Sequence, residues 1–149
     1  MKHILITGAG SYLGKSLGEY LGQWENDYEI RFLSLRGDWE SFDFHGFDAV
    51  YHTAALVHHP ETKDEPEFLP EYLSVNRDLC LNVAKRAKQA SVRQFLFLST
   101  EAVYGLTAPY GKTVTITKDT PLCPKDNYGR SKLEAEQGLA ALEDEHFRV

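Results

Sequence analysis

Two cysteines are all that the 149-residue sequence contains. Cys80 and Cys123 have neither metal-ligand nor redox spacing, so a disulfide framework, a cysteine-based metal site and a CxxC redox centre are not expected. They read as reduced thiols in a cytoplasmic protein. Positive charge is also scarce: 16 Lys and Arg stand against 22 Asp and Glu, for a formal net charge of −6. Without a basic stripe, nucleic acid is not an expected partner. Any phosphate must be held by local features such as backbone N–H groups. No apolar run is long enough to span a bilayer, so no membrane association is expected. The first strand is expected to begin at Lys2 or His3, so a signal peptide before it is not expected. Internal repeats and low-complexity segments are lacking as well.

What is present is ordinary for a soluble domain with one core: 42% hydrophobic and 26% charged residues. His3–Ile6 is a short apolar run typical of a strand buried on both faces. Leu13, Leu17, Tyr20, Leu21 and Trp24 follow at helical spacing. Glu29–Leu35 and Asp48–Thr53 read as strands, Leu69–Ala90 as a long helix and Val92–Leu98 as a further strand. Tyr104–Asn127, with three prolines and two glycines, is expected to be mostly loop, and Tyr128–Glu145 a last helix. The segment Gly37–Gly46 is ambiguous, with room for a short strand at Phe42–Phe44. Strands alternating with helices predict an α/β fold, a doubly wound parallel sheet with right-handed crossovers.

The stretch Thr7-Gly8-Ala9-Gly10-Ser11-Tyr12-Leu13-Gly14 lies where the first strand hands over to the first helix. Gly8 and Gly10 tolerate the backbone angles of a tight turn and let a phosphate approach the main chain. The helix N-terminus adds unpaired N–H groups and a partial positive charge. Gly14, one turn in, allows close packing on the strand. The pattern reads as a dinucleotide loop because of its place between strand and amphipathic helix.

Tyr128 and Lys132 are spaced i, i+4 and project from one helix face. A phenol titrates near 10, too high for a base at neutrality, and a nearby ammonium lowers that value. Ser99 and Thr100 stand at the end of a predicted strand, on the side where open α/β sheets bind ligands. A hydroxyl there would orient a substrate oxygen and stabilise developing charge. Asn76 falls on an apolar helix face, where its amide needs partners. It is expected to shape the site rather than to touch substrate. His58 and His59 follow the Asp48–Thr53 strand; of the two readings, lining a site and solvent exposure, the second is favoured.

Taken in order, these segments resemble the extended short-chain dehydrogenase/reductases, the group that contains NAD-dependent sugar-nucleotide epimerases and dehydratases. TGAGSYLG is similar to the family's nucleotide loop, DAVYHTAA to its fourth-strand motif, and YLSVNRD to its helix asparagine motif. STEAVYG and PLCPKDNYGRSK are similar to its catalytic segments. The resemblance implies a Rossmann-like fold over residues 1–149 and a dinucleotide cofactor. The cofactor would be held by Gly8, Gly10, Ser11, Tyr12, Leu13, Gly14, Thr53, Ala54 and Ala55. It further implies Tyr128 as acid/base, Lys132 as the group that lowers the phenol's pKa and holds the nicotinamide ribose, and Thr100 as the ligand of the reacting oxygen. Helices 69–90 and 128–145 are the expected faces for pairing with a second copy.

Three departures from the family pattern shape the expectations. Ser11 stands where the loop's middle glycine belongs; it is small, and its hydroxyl is expected to donate to a phosphate. Ser34 stands where NAD-binding members carry an acidic residue, and Arg36 follows. That pair favours a 2′-phosphate, so the reading leans to NADP(H), with Asp38 as the alternative that would support NAD(H). HFRV at the end of the chain resembles the start of a further strand, so the chain reads as the nucleotide-binding part of a longer protein, without the substrate-binding segment. Glu101 and Ala102 replace the Asp-Glu pair of the dehydratases, which argues against dehydration. Two functions stay open: an oxidoreductase or epimerase acting on a hydroxyl-bearing carbon, with a nucleotide sugar as the expected substrate, and a dinucleotide-binding module without turnover.

Overall fold

The computed structural model describes residues 1–57, 61, 62 and 64–149. Four strands form one parallel sheet: β1 (Lys2–Thr7), β2 (Tyr28–Leu33), β3 (Ala49–His52) and β4 (Gln94–Phe97), in the order β2-β1-β3-β4. Between β1 and β2 runs helix α1 (Tyr12–Leu21). Its small residues let it lie close to the sheet. A Cβ on Gly14 would come within 3.0 Å of Ile6, and one on Gly18 would press into the Phe32 ring.

Leu5, Val50 and Phe95 share a register row on the opposite face and are fully buried. They build the main core with Cys80, Val83, Ala84, Ala87 and Leu139. These come from α3 (Cys80–Gln89) and α4 (Asn127–Ala140). Between β3 and α3 the chain enters α2 (Leu69–Tyr72) and a seven-residue π-helical stretch, Leu73–Leu79. The expected single helix over 69–90 is thus one helical run with a widened middle. It packs along α4, and Arg77 joins the two through Glu134 at 2.7 Å.

The Gly37–Gly46 segment carries no strand. Phe42 closes a turn onto the Trp39 carbonyl, Asp43 caps His45, and Phe44 is buried in the core. It is an aromatic anchor, with the Phe42 and Phe44 rings edge to face at 5.3 Å. At the end of the chain Phe147 is buried, and Arg148 forms a parallel bridge with Gln94.

Candidate active site

The parallel register places one row of residues across the sheet: Leu33, Thr7, His52 and Phe97. Past that row all four strands leave the sheet on the same side. Ser34, Gly8, Thr53 and the Leu98–Thr100 segment therefore gather at the carboxyl edge, where open α/β sheets take their ligands.

The loop after β1 is shaped by close approach. Gly8 has φ +82°, and a Cβ there would lie 2.7 Å from the Ala54 backbone nitrogen. Ser11 caps α1, its hydroxyl accepting from the Gly14 N–H at 2.9 Å. The same hydroxyl meets the Thr53 hydroxyl, which donates to the Thr7 carbonyl at 2.7 Å. This is a different use of Ser11 from the one expected, since its oxygen serves the helix cap and β3. Gly10 is exposed and open on its side-chain side, and Tyr12 and Leu13 are exposed at the start of α1. Ala54 and Ala55 are half-buried beside Gly8. Ser34 and Arg36 are exposed after β2, and the Arg36 N–H donates to the Ser34 hydroxyl at 3.3 Å. Among the described residues, the Arg36 guanidinium has no carboxylate partner.

Thr100 ends the segment after β4 and caps a 3-10 turn, Glu101–Tyr104, accepting from the Ala102 N–H at 3.2 Å. That turn lies on the first turn of α4. A Cβ on Gly129 would come within 2.6 Å of the Ala102 carbonyl oxygen. The Thr100 turn is thus brought against the helix that carries Tyr128 and Lys132.

Lys132 is 2% exposed. Its ammonium donates to the Leu98 carbonyl at 2.7 Å and sits 4.4 Å from the Phe97 ring centroid and 5.8 Å from that of Tyr128. Burial pulls its pKa down to about 8, so it is still mostly charged at neutrality. The Tyr-Lys spacing led us to expect a lowered phenol. The structure has the opposite direction: burial first, then Glu101 and Asp126, hold the Tyr128 pKa above its ordinary value. The physical reason is placement, since the ammonium is engaged by the strand end while two carboxylates flank the phenol.

Several site residues were not legible in advance. His52 is fully buried between Phe95 and Phe97, with Nδ1 2.8 Å from the Thr7 hydroxyl. Burial, aided by the Lys132 charge, lowers its pKa to about 3, so it is neutral. Asn127 ties the start of α4 to the Thr62 and Glu65 carbonyls. Ser131 accepts from the Asn76 amide at 2.9 Å. Asn76 also exchanges two hydrogen bonds with the Leu56 backbone. Asn127 and Ser131 are polar, four apart, on the helix face that turns inward, and that pattern was the available signal. His58 and His59 lie outside the described residues. Among the described residues, no group of three His, Cys, Asp or Glu side chains is arranged for a metal, and no helix is long and apolar enough to cross a membrane.

Comparison with known proteins gives a consistent outcome. The UDP-glucose 4-epimerase of Vibrio cholerae is 32% identical over 158 residues, covering 95% of this chain and 47% of the epimerase. The UDP-Glc/GlcNAc 4-epimerase structure from Campylobacter jejuni superposes with a TM-score of 0.76 at 25% identity, covering 99% of this chain and 52% of that one. MoeE5 in complex with UDP-glucose and NAD gives 0.72 at 25% identity, covering 93% and 48%. The chain therefore spans about half the length of these relatives. The model of the NAD dependent epimerase/dehydratase family matches residues 4–149. With a parallel sheet whose carboxyl edge gathers the glycine loop, Thr100 and the Tyr128–Lys132 helix, the chain belongs to the NAD dependent epimerase/dehydratase family.

Proposed function

We propose that this chain is the dinucleotide-binding half of an NAD(P)-dependent oxidoreductase or epimerase that acts on a hydroxyl-bearing carbon of a nucleotide sugar. The observation that carries the reading is the common carboxyl edge, where the nucleotide loop, Ser34, Thr53, Thr100 and the Tyr128–Lys132 helix stand together. The match to UDP-glucose 4-epimerases and to MoeE5, whose complex contains UDP-glucose and NAD, supports the substrate class. A cytoplasmic setting fits the free thiols of Cys80 and Cys123. The outer faces of the α3 and α4 helical runs would pair two copies.

The residues fit a dinucleotide. Gly8 and Gly14 seat the loop directly on Thr53, Ala54 and Ile6, and Gly10 leaves the crest of the loop open to a ligand. Gly8–Gly14, Thr53, Ala54, Ala55, Ser34, Arg36 and Lys132 would hold it. A bound nicotinamide dinucleotide would supply reversible hydride acceptance at the carbon bearing the hydroxyl. Tyr128 takes the hydroxyl proton as hydride leaves, and gives it back on reduction. Thr100 donates to the reacting oxygen. The Lys132 ammonium, anchored on the Leu98 carbonyl, would hold the nicotinamide ribose. Ala102 brings no carboxylate to serve a dehydration.

Two expected results follow from the cofactor site. NADP(H) should bind more tightly than NAD(H), and Arg36→Ala should erase the difference. Comparative fluorescence titration tests this, and an NAD(H) preference untouched by Arg36→Ala overturns the assignment. Gly14→Val should crowd Ser11, Ile6 and Thr53, all within 3.0 Å of a Cβ at that position. Overpacking of that kind costs about 1–3 kcal/mol. Felt at the loop, it weakens dinucleotide binding about tenfold or more. A folded Gly14→Val that binds as the parent does moves the site elsewhere.

A further inference from the structure

We infer that Ser11 and Thr53 form a one-way hydroxyl relay that holds the nucleotide loop in its binding shape before any cofactor arrives. The inference deepens the cofactor reading and rests on it. Its direction follows from counting protons. Each hydroxyl has one hydrogen to give. The Thr7 carbonyl can only accept, so Thr53 spends its hydrogen there, at 2.7 Å. In the 2.5 Å contact between the two hydroxyls, Ser11 must then be the donor. Its oxygen meanwhile accepts from the Gly14 N–H. The chain runs Gly14 N–H to Ser11, Ser11 to Thr53, Thr53 to Thr7, and joins α1, β3 and β1.

Thr53 is the hub of this arrangement. It is 9% exposed, and its hydroxyl oxygen lies 2.8 Å from where a Gly8 Cβ would stand and 3.0 Å from that of Gly14. Gly8 and Gly14 are therefore seated on the same hydroxyl that anchors Ser11. Two consequences separate this chain from a loop with glycine at position 11. The Ser11 proton is committed inward, so phosphate is met by backbone N–H groups and not by this hydroxyl. The loop also needs less ordering on binding, and preorganisation of that kind raises affinity without a new contact to the ligand. Ser11 and Thr53 are positioning residues in this scheme.

A double-mutant cycle tests the relay. Ser11→Ala and Thr53→Val, singly and together, are compared by thermal and urea unfolding of the cofactor-free chain and by titration with NAD(H) and NADP(H) under conditions where each variant is folded. Loss of a helix cap is worth about a fivefold change in an equilibrium constant. Each single variant should weaken dinucleotide binding by about that factor, and the double variant should lose little more than either. Thr53→Ser keeps the hydroxyl and should restore binding. Ser11→Gly, which makes the loop match the family pattern, should bind more weakly than the parent. Additive losses in both measurements overturn the relay, as does parental affinity in Thr53→Val. If the parent binds neither dinucleotide, the cofactor reading fails instead. The relay is then decided by the unfolding cycle alone, where non-additivity upholds it and additivity overturns it.

Discussion

Tyr128→Phe is expected to lower turnover about 10²–10⁴-fold in an enzyme that carries this chain, the usual worth of a positioned proton-transfer group. The ring stays and only the ionisable oxygen leaves, so dinucleotide affinity should change little. Lys132→Met should behave differently. It removes the cation proposed to hold the nicotinamide ribose, and it leaves the Leu98 carbonyl without its buried donor. Turnover, dinucleotide affinity and melting temperature should all fall. Steady-state kinetics with cofactor titration separates the two variants. Full activity in Tyr128→Phe removes the acid/base assignment. Equal loss of cofactor binding in both variants gives the helix a structural role instead.

Gly105→Ala should produce the largest loss of stability. Gly105 ends the Thr100 turn with φ +60°, and a Cβ there would lie 1.9 Å from the Cys123 carbonyl oxygen. The segment between them leaves the turn and comes back, with the Cys123 N–H returning to the Val103 carbonyl at 3.0 Å. Alanine must therefore both adopt a left-handed backbone and push the returning strand of chain away. The first effect alone costs of order 1–3 kcal/mol. The second adds to it, and at about 2–4 °C per kcal/mol for a chain of this size a drop of roughly 10 °C is expected. Circular dichroism melting measures it. An unchanged melting temperature would show that the 106–122 excursion is not anchored at Gly105.

Much of this molecule could be read from its residues, and the limits have physical causes. The apolar run His3–Ile6, the glycines behind it and the helical spacing of α1 are local signals. They yielded the right elements, with boundaries shifted by a residue or two at most strands. The last helix ends earlier than expected, at Ala140, because Leu142 and Glu143 close turns instead. The long helix over 69–90 was legible as a helix, but its π-helical middle was not. That widening accompanies Asn76, whose amide is held by Leu56 and Ser131, twenty and fifty-five residues away. Phe42 and Phe44 alternate like a strand, yet the register leaves them no partner, and burial of Phe44 wins over local propensity. Side-chain placement at the site was less legible. The Lys132 ammonium is drawn to a strand-end carbonyl and an aromatic face that spacing on α4 does not reveal. Ser11's commitment depends on Thr53, forty-two positions later.

The burial of charge-bearing groups around Lys132 also gives the fold a proton account. His52 is held neutral down to about pH 3, while an unfolded chain would protonate it near 6.5. Across that interval the unfolded state binds the extra proton, so stability falls as the medium becomes acid. Lys132 acts on the alkaline side. Its folded pKa near 8 lies below the ordinary 10.5, so the cost of its buried charge is present at neutrality and is relieved as pH rises through that range. Cys80 works against it, because its thiol is pushed up to about 12 from 9.0, and above pH 9 the unfolded chain ionises first. Within this trio only Lys132 gives a gain between pH 8 and 9, above which Cys80 opposes it. The lysine that serves the proposed chemistry thus also tilts the fold toward mildly alkaline water.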